Sequence, residues 1–152
     1  MRLDPIFKLV LAIAGLDIVF RLIASFTNLF PSWKGSVALV GLIHFKNPDL
    51  FFGLLPTYLF QVIIGFFLIA LLVGFYFQMR GTLDSRVNAF KICLVGAGLN
   101  WLEFLFSGKV TDYFAILRSI FNLADLMILY GFIWLVWLEA NKRYQEYKNQ
   151  NY

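Results

Sequence analysis

The chain has 152 residues, of which 61% are hydrophobic, 19% aromatic and only 14% charged. A soluble domain carries about 25% charged residues and has no room to hide that much apolar surface, so with a mean hydropathy of +0.75 the composition excludes a water-soluble globular protein and requires a polytopic membrane protein. The lone Cys93 excludes an intrachain disulfide, the lone His44 leaves no zinc-type cluster, and the net charge of +4 is scattered along a lipid-soluble chain, which fits anionic headgroups and not nucleic acid.

Apolar runs of the roughly 20 residues a bilayer core demands fall at about 6–26, 54–77, 89–106 and 121–139. They predict an all-α integral membrane protein with four transmembrane helices, the whole of 1–152 forming one membrane domain. Asp17 and Arg21 interrupt the first run and no A-x-A site follows it, so it reads as a span and not as a cleaved leader. The segment 27–53 is too apolar for a solvated loop, and VALVGLIHF has strand composition. It predicts a small β-containing extracytoplasmic element at the membrane surface between helices 1 and 2. The second span places Pro56 in its first turn, where a missing N–H costs nothing, and has Gln61 as its one strongly polar residue. SGKVTDYFAILRSI reads as a short link between the third and fourth spans, and 140–152 as a polar cytoplasmic tail.

Counting bases near the span ends sets the orientation. With both termini cytoplasmic, that side holds Arg2, Lys8, Arg80, Arg86, Lys91, Lys142, Arg143 and Lys148. The other side holds Lys34, Lys46, Lys109 and Arg118.

An ionisable group near hydrocarbon costs a few kcal/mol and needs a partner or a task. Asp17 and Arg21 stand one helical turn apart and can neutralise each other as a structural ion pair. Asn100 and Glu103 share a face of the third span with Gly96, the signature of a helix–helix interface. Asp112, in the outer link, and Asp125, one turn inside the fourth span, fall at the same outer depth. A salt bridge to Lys109 or Arg118 is the plain explanation for them. The alternative is a pair of carboxylates that cannot both ionise at close range, so that one remains an acid while the other activates water. Trp33, Trp101, Trp134 and Trp137 fit lipid-facing surface and interfacial belts.

At this point the residues resemble a known family. GAGLNWLEFLFSGKVTDYF followed by FNLAD is similar to the signature blocks of signal peptidase II, GNxxDR, a glycine, VVDF and FNxAD. Asn100, Glu103, Gly108 and Asp112 keep the relative spacing, and Phe121, Asn122, Ala124 and Asp125 repeat the last block. Asp17 and Arg21 resemble its DxxxK, and FKNPDLFFG, with Asn47 and Phe52, its RNxGAAFS element. The likeness covers about residues 10–131. The chain departs from the pattern at Asp49, Leu99, Glu103 and Phe104, which bears on how a substrate backbone is held.

The resemblance implies an intramembrane aspartic endopeptidase of the bacterial cytoplasmic (inner) membrane, cutting diacylglyceryl prolipoproteins before the lipidated cysteine. Asp112 and Asp125 are then the catalytic pair near the outer face. Asn47, Asn100, Asn122, Glu103, Asp17 and Arg21 support the pair or the substrate. No metal or organic cofactor is implied, the partners are the lipidated prolipoprotein and membrane lipids, and a monomer is expected. The competing readings are a catalytically impaired homologue of the same fold and a four-helix binding or transport protein.

Overall fold

The computed structural model describes residues 5–26, 31, 38–48, 58–79, 85–117 and 119–151. The readings placed on Arg2, Trp33, Lys34, Asp49, Phe52, Pro56, Arg80 and Arg118 fall outside these residues. In chain order the elements are α1 (Pro5–Phe26), β1 (Ala38–Asn47), α2 (Tyr58–Met79), α3 (Arg86–Ser107), β2 (Val110–Leu117), β3 (Ser119–Phe121) and α4 (Leu123–Asn151). All four helices are long and apolar enough to cross a membrane, so the chain is a multi-pass membrane protein.

Burial on α1 follows one stripe, Val10, Ala14, Asp17, Arg21 and Ala24, spaced alternately four and three apart as one face of a helix requires. Leu9, Leu16, Val19 and Leu22 lie outside that stripe and are exposed, which costs nothing in hydrocarbon. The inner stripe brings Val10 against Ile92 of α3 and Met127 of α4. α2 lies against α3, where Tyr58 Oη donates to the Leu105 carbonyl at 2.8 Å and Phe75 stacks on Phe90 at 5.8 Å. Its other faces expose Leu59, Ile63, Phe66 and Phe67.

Two glycines let α3 and α4 approach closely. A Cβ on Gly96 would lie 2.6 Å from the Ala124 carbonyl oxygen, and one on Gly131 would lie 2.8 Å from that of Ala89. Small residues at a crossing are how membrane helices gain contact without a hydrophobic drive. α3 ends at Gly108, whose φ of 68° is left-handed and whose N–H donates to the Phe104 carbonyl at 2.8 Å, a helix stop that glycine makes without strain.

The expected β-containing segment between helices 1 and 2 contains β1, but it supplies only part of a sheet. The link between α3 and α4 contributes the other two strands, giving an antiparallel sheet in the order β1-β2-β3. Phe45, Lys46 and Asn47 pair with Asp112, Thr111 and Val110. At the other end α4 runs 29 residues to Asn151, about 43 Å at 1.5 Å per residue, so the polar stretch after 139 continues the helix. Pairs one turn apart, Arg143 with Glu139 at 3.0 Å and Lys142 with Glu146 at 3.7 Å, decorate that extension.

Candidate active site

The start of α4 explains why FNLAD has the residues it has. Asn122 is the residue before the helix, and its Oδ1 accepts the Asp125 N–H at 2.9 Å. Asp125 reaches back to accept the Asn122 N–H through Oδ2 at 3.0 Å. This is a reciprocal capping box, which satisfies two backbone donors that a helix start otherwise leaves open. The carboxylate also sits in the first helical turn, where the helix dipole favours negative charge.

Asp112 arrives from the opposite side, on β2. Asn122 Nδ2 donates to its Oδ1 at 2.7 Å, and Asn47 Nδ2 of β1 donates to its Oδ2 at 3.1 Å. Asp125 takes a second amide, from Asn100 Nδ2 of α3, at 2.6 Å on Oδ1. Each carboxylate is thus oriented by two N–H donors. Asn122 touches both, which ties the two acids into one unit. Asp112 is 2% exposed; burial first and the nearby Asp125 charge second push its pKa up to about 6, against the pull of the Asn47 and Asn122 hydrogen bonds. Among the described residues neither acid forms a salt bridge. Lys109 is not paired with either of them, and Arg118 lies outside the described residues.

Arg21 organises the support. Its Nε donates to Asp17 Oδ2 at 2.5 Å, Nη2 donates to Asn100 Oδ1 at 2.6 Å, and Nη1 bonds Glu103. The fork of a guanidinium suits three partners in three directions. By fixing the Asn100 carbonyl oxygen, Arg21 decides which way that amide faces and so presents its NH₂ to Asp125. Glu103 is a junction of a different kind. It accepts the Thr111 N–H at 3.0 Å and the Thr111 hydroxyl, and Lys46 Nζ lies 3.4 Å away. Lys46 also donates to Ser25 Oγ at 3.1 Å and bonds Thr111. Glu103 therefore braces α1, β1 and β2 against α3 and makes no contact with either acid.

The structure brings Asp17, Arg21, Asn47, Asn100, Glu103, Asp112, Asn122 and Asp125 into one connected network. Sequence reasoning left out three members, Lys46, Thr111 and Tyr113. Two of these flank Asp112 and the third precedes Asn47, so adjacency to a candidate residue was the signal available. Phe104, at the place of the family's arginine, is fully buried with its ring 5.1 Å from that of Tyr58, so that position offers no donor. A groove of about 340 Å³ opens beside the network, lined by Ile18, Arg21, Leu22, Ser25, Phe26, Lys46 and Glu103. Among the described residues no three His, Cys, Asp or Glu side chains gather as metal ligands do.

Residues 9–140 match the family model for signal peptidase (SPase) II. Solved structures share the fold, and two of them serve as examples. One is a bacterial membrane enzyme determined by the in meso method at 2.3 Å resolution, 19% identical, with a TM-score of 0.72 over 96% of this chain and 91% of that one. The other, also a bacterial membrane enzyme determined in meso, at 1.9 Å, is 20% identical with a TM-score of 0.66 over 86% and 89%. No curated protein sequence matches the chain.

Proposed function

The chain belongs to the signal peptidase II family, and from that premise we propose that it is an aspartic endopeptidase that removes signal peptides from diacylglyceryl-modified bacterial prolipoproteins, cutting before the lipidated cysteine. The observation that carries this reading is the pair Asp112 and Asp125. They come from different elements and are oriented by Asn47, Asn100 and Asn122. Neither forms a salt bridge among the described residues, and Asp112 is raised to about 6 by burial and by its neighbour. A structural ion pair needs a cation, whereas an acid–base pair needs two carboxyl groups that resist simultaneous ionisation.

In the cycle the ionised member takes a proton from water as the oxygen attacks the scissile carbonyl carbon. The protonated member then gives its proton to the leaving nitrogen as the C–N bond breaks. The N–H donors around each acid keep both in place through this exchange. Water enters from the outer face, so the reading goes with the orientation that the basic residues favour: termini in the cytoplasm of a bacterial inner membrane and the acids near the outer surface. A substrate that is half lipid and half peptide reaches such a site laterally, with its acyl chains still in the bilayer. All the named groups come from one chain, which fits a monomer.

The test is incubation of the purified protein with lipidated and unlipidated prolipoprotein, read as a mobility shift. Cleavage of the lipidated form alone is expected, since each buried acyl CH₂ contributes about 0.8 kcal/mol to capture. A catalytically impaired homologue is the second reading, favoured by the buried Phe104, which leaves a family donor position empty. That reading predicts binding of the lipidated precursor without cleavage.

A further inference from the structure

Tyr113 is fully buried immediately after Asp112 on β2, and no step of the proposed cycle uses it. Its hydroxyl donates to Asp17 Oδ1 at 2.7 Å and accepts the Leu123 N–H at 3.0 Å. The same Asp17 oxygen accepts the Ala124 N–H at 3.2 Å. The first open N–H groups of α4 are therefore held from outside that helix, by Tyr113 and Asp17, and the next by Asn122.

We propose that Tyr113 is a positioning residue that sets the separation of the two acids. Its backbone carries Asp112, and its hydroxyl holds the start of the helix that carries Asp125. This rests on the reading of Asp112 and Asp125 as the catalytic pair. Successive strand residues point to opposite faces, so one short stretch of β2 presents a carboxyl group to Asn122 and Asn47 and a hydroxyl to α1 and the start of α4. Burial, then Asp17, pushes the Tyr113 hydroxyl far above the ordinary tyrosine pKa, so it remains a donor across any assay range. The ring is fixed independently, stacked on Phe20 at 5.2 Å and tilted against Phe114 at 4.9 Å. The charged groups that act on the Tyr113 hydroxyl are Asp17 and Arg21 of α1, and those that act on Asp112 are Asp125 of α4 and Arg21 of α1.

The decisive variant is Tyr113→Phe, which keeps the ring and removes one oxygen. Freed from the hydroxyl, the first turn of α4 shifts and carries Asp125 away from Asp112. The expected result is a fall in kcat of about tenfold or more with little change in KM, because misplacement by an ångström costs up to about 10²-fold. Weaker repulsion from Asp125 lets Asp112 lose its proton sooner, so the alkaline limb of the rate profile shifts to lower pH. Phe20→Leu serves as a control: it loosens the ring and lowers the unfolding temperature but leaves the limb in place. A Tyr113→Phe enzyme with unchanged kcat and an unchanged pH profile overturns the proposal, as does a limb that Phe20→Leu moves equally. Asp112→Asn, assayed alongside, separates the two claims. Full activity there sinks the catalytic pair itself, whereas an inactive Asp112→Asn beside an unaltered Tyr113→Phe sinks only the role of Tyr113.

Discussion

Asn122 and Asp125 hold each other through two reciprocal hydrogen bonds, 2.9 and 3.0 Å long, at the start of α4. One short motif thereby does two jobs. It begins a membrane helix where the first four N–H groups have no partner within the helix, and it anchors one carboxylate of the proposed pair beside the asparagine that grips the other.

Replacing either acid by its amide therefore separates structure from chemistry. Asp112→Asn and Asp125→Asn are expected to insert and fold, since the amide oxygen still accepts one of the two N–H groups that hold each acid, at some cost in stability where the NH₂ meets the other donor. Cleavage of a lipidated precursor should fall by about 10²- to 10⁴-fold or beyond detection, the range for losing general acid or base catalysis. Glu103→Gln should weaken activity without abolishing it, because Glu103 braces Arg21 and Thr111 and does not touch either acid. An Asp variant with near-normal turnover would return Asp112 and Asp125 to a structural role.

The pH dependence has a definite sign. Asp112 is raised from 3.8 to about 6, so the native state binds this proton more tightly than the unfolded chain does. Its contribution to stability is complete at low pH and is lost as pH rises from about 4 through about 6. Unfolding temperature in detergent, followed across that window, should decline in the wild type and decline less in Asp112→Asn. In kinetics the rate should be bell-shaped, with the alkaline limb of kcat at higher pH than that of kcat/KM because bound substrate excludes water further.

Arg21 serves three acceptors through three nitrogens. Arg21→Leu strands Asp17 and Glu103 without their guanidinium partner and should cost about 3–5 kcal/mol, the range for breaking a buried pair. Arg21→Lys retains the charge but not the fork, so a smaller loss of stability is expected, with activity reduced because Asn100 is no longer held. Thermal unfolding with a parallel cleavage assay checks the ranking; equal stability of Arg21→Leu and wild type would contradict it.

Gly96→Ala tests the helix contact that places the site. The new methyl would meet the Ala124 carbonyl oxygen at 2.6 Å and the Met127 Cβ at 3.0 Å, and backbone does not yield as a flexible side chain does. Overpacking of this kind costs about 1–3 kcal/mol. The displaced group is one residue from Asp125, so activity should fall more than stability does. Gly98→Ala, which meets nothing within 4 Å, should be silent in both measurements.

Orientation is open to labelling. In a Cys93→Ser background, cysteine at Lys109 should react with an impermeant thiol reagent from outside, and cysteine at Lys142 only after the membrane is opened. The reverse pattern would invert the topology and move the acids to the cytoplasmic face.

The four spans and the Asp17–Arg21 pair were legible in the sequence because each depends on neighbours within a turn or on the length of an apolar run. Hydrocarbon thickness sets the run length and helix pitch sets the four-residue spacing. The capping box of Asn122 and Asp125 is as local, but FNLAD reads in the sequence only as a family-like block, and the cap emerges from the structure. Long-range pairing has no such local signature. VTDYFAIL reads as part of a short link, and only pairing with β1, which lies before α2, makes it a strand and sets Asn47 beside Asp112. The bonds of Glu103 to Arg21, Tyr113 to Asp17 and Ala124 to Asp17 join residues separated by 82, 96 and 107 positions. Those partners meet only where four helices and a shared sheet converge, and a buried polar group accepts whichever donor the packing brings within reach.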